Sequence, residues 1–457
     1  MAEQTIVEVR AWEALDSRGT PTVGCEVILS DGSRGTAVVP SGASTGRHEA
    51  VELRDGGARY AGAGVLRAVA NVEGPLARAV SGLDAADQRG VDGALRAADG
   101  TPDLSRYGAN AVLAISLATA VSRASRVPLY AVGNHAPLLP MPMVNVVSGG
   151  AHAGGTLDIQ DVLVVPVGAG TFRQALEWAW RVRRATAECA EAQGLPTALV
   201  ADEGGLGPRL ATNRAAVELV AQGIDRSGLA AGTEVALAVD VAATTFADGN
   251  RYDLRSEDRR VSAAELVSEL AEWVRDFPIV SLEDVLAEDD WTGWRDATEQ
   301  LGGVQLLGDD LFATNAARLR QGIEAGVANA ILVKPNQVGT LTDAYDVVTA
   351  ARQAGYNTVL SARSGDTEDS WLADLAVAWR TGQIKVGSTT RSERTAKWNR
   401  LLKIEADLGP SAPFATWPPK PDPPPTKSAG TLRACAGCRV VHGEAGVRGD
   451  LDSTADR

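Results

Sequence analysis

The stretches A-I-L-V-K at 330–334 and T-V-L-S-A-R at 358–363 are each a short apolar run that ends in a basic residue. Five other apolar runs that end in polar residues occur along the chain: A-L-V-A-D-E at 198–203, V-A-L-A-V-D at 235–240, I-V-S-L-E-D at 279–284, V-Q-L-L-G-D-D at 304–310 and Q-I-K-V-G at 383–387. Such runs are typical of strands buried on both faces of a parallel sheet that helices cover. Helical patterns lie between them, as at 263–274, so the sequence predicts repeated strand–helix units.

The spacing between corresponding strand ends is nearly constant. It is 26 residues from Glu283 to Asp309, 25 from there to Lys334, 27 to Ser361 and 24 to Lys385. One strand, one helix and two short loops account for that length. Repeated units of this kind favour a closed (β/α)8 barrel. A doubly wound open sheet is the alternative, although no G-x-G-x-x-G motif opens it.

Three regions of the chain differ in pattern. Residues 1–136 begin with short alternating strands and continue with alanine-rich helical patterns, which predicts an α+β domain. Residues 137–408 contain the strand–helix units, and the proline-containing stretch P-L-L-P-M-P-M at 137–143 is interpreted as a linker. Residues 409–457 are rich in proline at first and lack sustained periodicity, so we expect a disordered tail.

Composition and charge argue against several classes of protein. The net charge of −14 argues against nucleic acid or an anionic membrane as the partner, although a local cationic pocket can still bind an anionic substrate. Neither a signal peptide nor an apolar run of about 20 residues is visible, so we expect a soluble cytoplasmic protein. The four cysteines are too few for a disulfide framework, and C-A-G-C at 435–438 with His442 is a weak zinc motif without a second pair.

Polar residues at the strand ends form a candidate catalytic site, because the C-terminal strand ends of a barrel converge at one mouth. Three carboxylates, two lysines and one arginine occupy these ends: Asp240, Glu283, Asp309, Lys334, Lys385 and Arg363. The carboxylates suit a hard divalent cation, and Mg²⁺ fits best because water and substrate oxygens can complete its coordination. The alternative is that each carboxylate only caps the following helix.

This combination of residues predicts proton abstraction next to a carboxylate. Lysines beside a cation and beside each other are expected to shift towards the neutral form, so one of them can act as a general base. A cation would stabilise the doubly charged enediolate that results. Arg363 and Ser364 would bind an anionic oxygen cluster, and the turn A-D-E-G-G at 201–205 offers an acid for a leaving hydroxide.

Nine short motifs between about residues 5 and 408 carry a family resemblance. They are L-D-S-R-G-T-P-T at 15–22, P-S-G-A-S-T-G at 40–46, E-L-R-D-G at 52–56, G-A-N-A at 108–111, G-G-A-H-A at 149–153, D-E-G-G at 202–205, G-D-D-L-F-A-T-N at 308–315, N-Q-V-G-T-L-T at 336–342 and R-S-E-R-T-A-K at 391–397. With these motifs the chain resembles the enolase family of Mg²⁺-dependent hydro-lyases. The resemblance implies an N-terminal α+β domain on a TIM-like (β/α)8 barrel, a homodimer, and a small phosphorylated three-carbon acid as substrate.

The resemblance also implies a metal centre and an acid–base pair. The principal Mg²⁺ would be held by three carboxylates, those of Asp240, Glu283 and Asp309. Lys334 would take the C2 proton of 2-phosphoglycerate, and Glu203 would act at C3, where a hydroxide leaves to give phosphoenolpyruvate. Ser44 would join a second metal as its loop closes.

The remaining residues implied by the resemblance bind the substrate. Lys385 would bind the substrate carboxylate, and Arg363 with Ser364 would bind the phosphoryl group. His152 would lie near the phosphoryl and leaving-group side, and Asp161 is counted with it among the substrate-binding residues.

The chain departs from the family pattern at several positions around the expected active-site mouth. Ala362 stands where the family has histidine, and Asp161 stands where it has glutamate. Smaller differences are Ala201 for glycine, Asp366 for glutamate, and Thr244-Thr245 for Ser-Glu. The metal ligands, both lysines and Arg363 match the family.

These departures leave open which acid the protein dehydrates. One interpretation is an ordinary enolase that converts 2-phosphoglycerate. The other is a specialised paralogue that acts on a phosphonylated relative, as carboxyphosphonoenolpyruvate synthases of phosphonate antibiotic pathways do, because the methyl of Ala362 leaves room beside the phosphoryl site. A non-catalytic binding protein with this fold is a third interpretation, which the loss of a metal ligand or of Lys334 would have favoured.

Overall fold

The computed structural model describes residues 4–42, 46–132 and 135–419 of the chain. Ser44 and the C-A-G-C motif at 435–438 with His442 lie outside the described residues. Among the described helices, none is both long and apolar enough to cross a bilayer.

In the described residues of the N-terminal region, a three-stranded antiparallel sheet is followed by four α-helices. The strands are β1 (Ile6–Leu15), β2 (Pro21–Leu29) and β3 (Arg34–Val38), in the order β1-β2-β3. The helices are α1 (Leu66–Asn71), α2 (Ala77–Val80), α3 (Gln88–Asp99) and α4 (Ala109–Ser122). Strands before helices are what the sequence predicts for this α+β domain.

Helix α4 packs so closely on this sheet that only glycine fits at the contact. A Cβ atom at Gly35 in β3 would lie 2.1 Å from the carbonyl oxygen of Ala118 in α4. Nearly every residue of α4 is buried, because the helix lies between the sheet, α3 and the second region of the chain. The alanine-rich sequence of α4 therefore reflects close packing on several sides.

The second region is a closed eight-stranded barrel, which confirms the predicted architecture and excludes the open sheet. Its strands are β4 (Met141–Ser148), β5 (Asp161–Val165), β6 (Ala236–Asp240), β10 (Ile279–Glu283), β11 (Gln305–Gly308), β12 (Ala330–Val333), β13 (Asn357–Ser361) and β14 (Gly382–Gly387). Between β6 and β10 the chain forms a small antiparallel sheet of β7 (Ala247–Asp248), β8 (Arg251–Leu254) and β9 (Arg259–Ser262).

Eight helices cover the barrel. They are α5 (Phe172–Ala192), α6 (Asn213–Ser227), α7 (Ala263–Asp276), α8 (Trp291–Leu301), α9 (Ala316–Ala325), α10 (Leu341–Gln353), α11 (Trp371–Ala378) and α12 (Ser392–Leu408). Side-chain N-caps begin α7, α8 and α9, from Ser262, Asp290 and Asn315. The predicted metal ligands lie at the C-terminal ends of β6, β10 and β11, the barrel strands that precede these three helices. Because other residues cap the helices, the metal ligands are not needed as caps.

The prediction of an all-parallel sheet is wrong for one strand. β5 runs antiparallel to both of its neighbours, β4 and β6. The sequence predicts a strand at 198–203, but this stretch is an irregular loop in which Leu199 is 82% exposed. An apolar run thus forms a barrel strand only where neighbouring strands can bury both of its faces.

The stretch 137–143 is not a linker as the sequence predicts. Its last three residues begin β4, where Pro142 is buried and stands opposite Ile384 of β14 in a parallel register. Residues near the C-terminal end of the described chain pack against this stretch. The N–H of Leu139 donates to the carbonyl oxygen of Pro413, and the N–H of Ala415 donates to the carbonyl oxygen of Leu139, at 2.9 Å each. Ala415 is buried. Packed structure therefore extends beyond the predicted start of the tail at 409.

Candidate functional site

The barrel strands bring most of the predicted site residues to one mouth. Asp240 stands opposite Asp161 of β5 on one side and opposite Glu283 of β10 on the other. Ser361 stands opposite Lys385 on the far side of the barrel. The pocket at this mouth is lined by His152, Glu203, Asp240, Asp309, Lys334, Arg363, Ser364 and Lys385, together with ten further residues. Glu283 is not part of this lining and reaches the site through Lys385.

Each lysine of the site forms an ion pair with predicted metal ligands. Nζ of Lys385 lies 2.6 Å from Oδ2 of Asp240 and 2.8 Å from both carboxylate oxygens of Glu283. Nζ of Lys334 lies 2.5 Å from Oδ2 of Asp309. Buried charges are tolerated when they are paired and hydrogen-bonded, so this pairing offsets the cost of burying the lysines and carboxylates.

In the structure the pKa values of both lysines are raised, so the predicted shift towards neutrality beside a bound cation stays a prediction. Burial lowers the pKa of Lys334, but the Asp309 carboxylate outweighs burial and the pKa is raised overall. Burial also lowers the pKa of Lys385, and the carboxylates of Asp240 and Glu283 raise it well above its ordinary value. The prediction assumed a cation as the dominant neighbour, whereas the nearest charges here are negative.

The carboxylates at the mouth fit a divalent cation. Oδ1 of Asp240 is buried and has no hydrogen-bond partner, while Oδ2 of the same carboxylate accepts from Lys385 and from Gln160. A buried oxygen without a partner is costly unless a ligand satisfies it. The carboxylates offer oxygen ligand atoms, which hard cations prefer. The pocket therefore contains acidic groups that could hold a metal ion.

The closest carboxylate triplet differs from the predicted one. Within the described parts of the chain, the atoms of Asp284, Asp309 and Asp310 lie within 4.8 Å of one another, whereas Asp240, Glu283 and Asp309 do not form such a group. The two additional acids, Asp284 and Asp310, each follow a predicted ligand directly in sequence, in E-D at 283–284 and D-D at 309–310. These acidic pairs are the sequence signal that could have identified them.

Asp284 fixes the end of the neighbouring strand. Its backbone is left-handed, with a φ of 44°. Its carboxylate accepts the backbone N–H groups of Asp309 at 3.0 Å and of Asp310 at 2.7 Å. Burial raises the pKa of Asp284 well above its usual range, and the nearby carboxylates raise it further. This residue therefore orients Asp309 towards the pocket, a role that spacing along the chain does not reveal.

Three residues with predicted acid or substrate-binding roles meet on one side of the pocket. Nδ1 of His152 lies 3.1 Å from Oδ2 of Asp161, and its Nε2 lies 3.9 Å from Oε1 of Glu203. Burial lowers the pKa of His152, but the two carboxylates outweigh burial and raise it to about 9. Burial raises the pKa of Glu203, yet the charges of His152 and Arg394 lower it overall. Burial raises the pKa of Asp161 as well, while the shifts of His152 and Glu203 favour an imidazolium beside the Glu203 carboxylate.

The cationic side of the pocket is built from the end of β13. The Arg363 guanidinium forms a two-pronged ion pair with Glu49 of the N-terminal region, a residue that the sequence did not single out. Behind it, Arg394 of α12 donates to the carbonyl oxygens of Arg363 and Ser364 at 2.7 Å each. Arg394 belongs to R-S-E-R-T-A-K, so this motif supports the strand end from outside the pocket.

Ala362 is buried and lines the pocket between Ser361 and Arg363. Its backbone N–H donates to the carbonyl oxygen of Lys385 at 2.9 Å, so the backbone position of the methyl group is fixed. Position 362, which is histidine in the family pattern, therefore places its side chain at the pocket wall.

The fold and the site together define a class of protein in which an α+β region precedes an eight-stranded barrel whose mouth combines carboxylate, lysine and arginine side chains. Two family models agree with this class: "Enolase, N-terminal domain" matches residues 6–132, and "Enolase, C-terminal TIM barrel domain" matches residues 136–418. The chain belongs to the enolase family. The match supports a lyase of the enolase superfamily.

Proposed function

We propose that the protein is a Mg²⁺-dependent hydro-lyase that converts 2-phosphoglycerate, or a close 2-O-phosphoryl or phosphonyl analogue, to the corresponding enolpyruvate and water. The reaction breaks the C2–H bond and the C3–O bond, the electron pair left at C2 forms the C2–C3 double bond, and the leaving hydroxide takes one proton to become water. The observation that carries the proposal is that Lys334, Glu203 and Arg363 line one pocket whose carboxylates fit a divalent cation. The proton acceptor, the proton donor and the anion-binding group are then in reach of one small substrate.

Lys334 is proposed to accept the C2 proton at Nζ. Its ion pair with Asp309 holds the ammonium form, so the lysine becomes a competent base only when Asp309 interacts with something else. By family resemblance Asp240, Glu283 and Asp309 would hold the divalent cation, with Asp284 and Asp310 beside them, and the cation would stabilise negative charge on the substrate's carboxylate oxygens. Lys385, now paired with two of these residues, would be available to the same carboxylate.

Glu203 and His152 are proposed to deliver the proton to the leaving hydroxide. Sequence similarity assigns this role to Glu203, and the charge distribution favours the imidazolium of His152 as the resting position of the proton. Asp161 holds Nδ1 of the imidazole and accepts from Asn145 at 2.5 Å, so the ring is oriented with Nε2 towards Glu203. Arg363 and Ser364 are proposed to bind the phosphoryl or phosphonyl group.

A specialised substrate is the second candidate, and the position of Ala362 favours it. The methyl group lies in the pocket wall next to Arg363, where an imidazole would occupy more space. A substrate whose phosphorus carries an additional small group, such as a carboxyphosphonate, could use this volume. The product would then be carboxyphosphonoenolpyruvate, formed by the same proton abstraction and loss of hydroxide.

The proposal is tested by incubating the purified full-length protein with Mg²⁺ and 2-phosphoglycerate and following the enolpyruvate absorbance. Turnover on the order of 10 s⁻¹ would support the ordinary enolase. A rate several powers of ten lower, with turnover of the phosphonylated analogue, would support the specialised paralogue. Binding of both acids without turnover of either would contradict the lyase and favour a binding protein.

A homodimer and a cytoplasmic location are also proposed, on family resemblance. The edge strand β1 carries the apolar side chains of Val7 and Leu15, which are more than half exposed. A second copy covering this face would remove apolar surface from water. Light scattering on the purified protein measures the oligomeric state directly.

A further inference from the structure

The arginine that the proposed function assigns to the substrate's anionic group already has an internal carboxylate as its partner. Nη1 of Arg363 lies 2.9 Å from Oε2 of Glu49, and Nη2 lies 3.4 Å from Oε1. The two side chains are 4% and 6% exposed. Both residues line the pocket, although they are 314 positions apart in sequence. The N-terminal region therefore contributes a negative charge at the point where the proposal places an anionic ligand.

The geometry of this pair resembles the way in which arginine binds ligand oxyanions. Two terminal N–H groups facing two carboxylate oxygens make a strong, oriented contact of the kind that phosphate groups also make. A ligand that uses the same two nitrogens has to displace Glu49. A ligand beside an undisplaced Glu49 would be repelled by its charge, since the Glu49 carboxylate is almost fully buried and weakly screened.

We infer that Glu49 is a specificity-determining residue that competes with ligands for Arg363 and so sets a threshold of charge for binding. A monoanionic ligand that replaces Glu49 at Arg363 gains little binding energy, because it only exchanges one single charge for another. A dianionic phosphoryl or phosphonyl group interacts more strongly with the guanidinium than the Glu49 carboxylate does. The site would therefore exclude monoanions at moderate concentration and admit dianions. This inference rests on the proposed function, which assigns Arg363 to the phosphoryl-type group.

The surrounding contacts allow Glu49 to exchange without opening the whole segment. Residues 46–50 are also held by Arg47, which pairs with Glu288 at 2.9 Å, and by the N–H of Ala50, which donates to the carbonyl oxygen of Gln337 at 2.8 Å. Oε1 of Glu49 in addition accepts from the N–H of Gly46 at 2.9 Å. Rotation of the Glu49 side chain would break its contacts with Arg363 and with the N–H of Gly46, but it leaves the attachments through Arg47 and Ala50 in place.

The test compares the full-length protein with Glu49→Gln, which keeps the side-chain shape and removes the charge. The probes are inorganic phosphate as a dianion and formate as a monoanion, titrated calorimetrically without added Mg²⁺ at about pH 8, where phosphoryl groups are doubly charged. We expect Glu49→Gln to lower the Kd for phosphate about tenfold. The Kd for formate should fall by a similar factor, so that formate binding becomes measurable. We also expect the KM for the turned-over acid to fall in Mg²⁺ buffer.

Matched variants separate competition from other effects. Glu288→Gln also removes one ion pair of residues 46–50 but leaves Arg363 paired, so phosphate affinity and KM should not change. Glu49→Asp keeps the charge and shortens the reach, so its gain should be intermediate. Circular dichroism and thermal unfolding confirm that each variant is folded.

An unchanged or weaker phosphate affinity in folded Glu49→Gln would overturn the inference, since Glu49 would then only orient Arg363. Failure of the proposed function has a different signature. In that case neither the wild type nor any variant turns over 2-phosphoglycerate or its phosphonylated analogue, whatever the phosphate titrations give.

Discussion

Nζ of Lys385 lies 2.6 Å from Oδ2 of Asp240, although the two residues are 145 positions apart in sequence. Their strands, β14 and β6, are separated by β4 and β5 in the barrel, so the ion pair reaches across part of the mouth. The lysine thus neutralises a proposed metal ligand in the state described. A cation that binds Asp240 must displace or share this contact, which makes the pair a natural point at which to test the site.

Asp240→Asn should weaken Mg²⁺ binding by more than about 100-fold, beyond the 10–100-fold loss that is usual when only an outer-shell partner is removed. The amide cannot supply the charge of the buried, unpartnered oxygen. Isothermal titration with MgCl₂ measures the change. Asp346→Asn, which removes an exposed carboxylate paired with Arg89, is the matched control and should bind normally. Equal affinities in the two variants would remove Asp240 from the metal site.

Lys334→Ala should lower kcat by at least about 10²–10⁴-fold, the range associated with general-base catalysis. Folding and Mg²⁺ binding should persist, because Asp309 keeps its contact with Gln337 at 3.2 Å. Kinetics on 2-phosphoglycerate, or on the analogue that the wild type prefers, provide the measurement. Lys403→Ala, which removes an exposed lysine paired with Asp407, controls for loss of charge. Undiminished turnover in Lys334→Ala would refute the proposed mechanism.

Ala362→His should raise kcat/KM for 2-phosphoglycerate by about tenfold or more, because one hydrogen bond to a charged group is worth about 1.5–3 kcal/mol. The backbone at this position is fixed by Lys385, so the new imidazole would occupy the pocket wall. Ala362→Leu fills the same space without a donor and should not give the gain. If both variants match the wild type, the alanine has no bearing on substrate choice.

The stability of the protein should fall at alkaline pH because of His152. Its pKa is raised from 6.5 to about 9, so the imidazolium stabilises the folded state fully below pH 6.5 and this contribution is lost as the pH rises through about 9. The expected loss is about 3 kcal/mol between about pH 6 and pH 10. Urea unfolding across this range should show the loss in the wild type.

His152→Gln supplies the comparison for that pH series, because it lacks the titrating group. Its free energy of unfolding should vary less between neutral and alkaline pH than that of the wild type. His48→Gln, which changes a histidine outside the pocket that faces Asp289, should retain the wild-type dependence. Parallel curves for His152→Gln and the wild type would show that the Asp161 and Glu203 contacts do not stabilise the imidazolium.

Arg394→Met should destabilise the folded protein by about 3–5 kcal/mol, the usual effect of removing one partner from a buried charged network. The side chain is fully buried and donates to the carbonyl oxygens of Arg363, Ser364 and Val386. Chemical denaturation measures the change, and Arg173→Met, at a mostly exposed position, is the control. A loss below about 1 kcal/mol would mean that water satisfies these carbonyl groups.

Much of the barrel and its mouth could be predicted from local sequence. Strands buried on both faces must be apolar throughout, and the residues that follow them are free to be polar. The spacing from Glu283 to Lys385 therefore revealed both the repeating units and the residues that the barrel brings together. β5 was missed, because a single short antiparallel strand gives no repeat, and β4 was obscured by its proline.

The sequence by itself determined which chemical groups end the strands, since that depends only on local pattern and on the register of a closed barrel. Only the tertiary structure decided how those groups interact. Glu49 meets Arg363 across 314 positions, and the Asp309 carboxylate outweighs burial in setting the pKa of Lys334. Both effects depend on the distances between charges in a buried site, and such distances are set by packing between regions that no local pattern encodes.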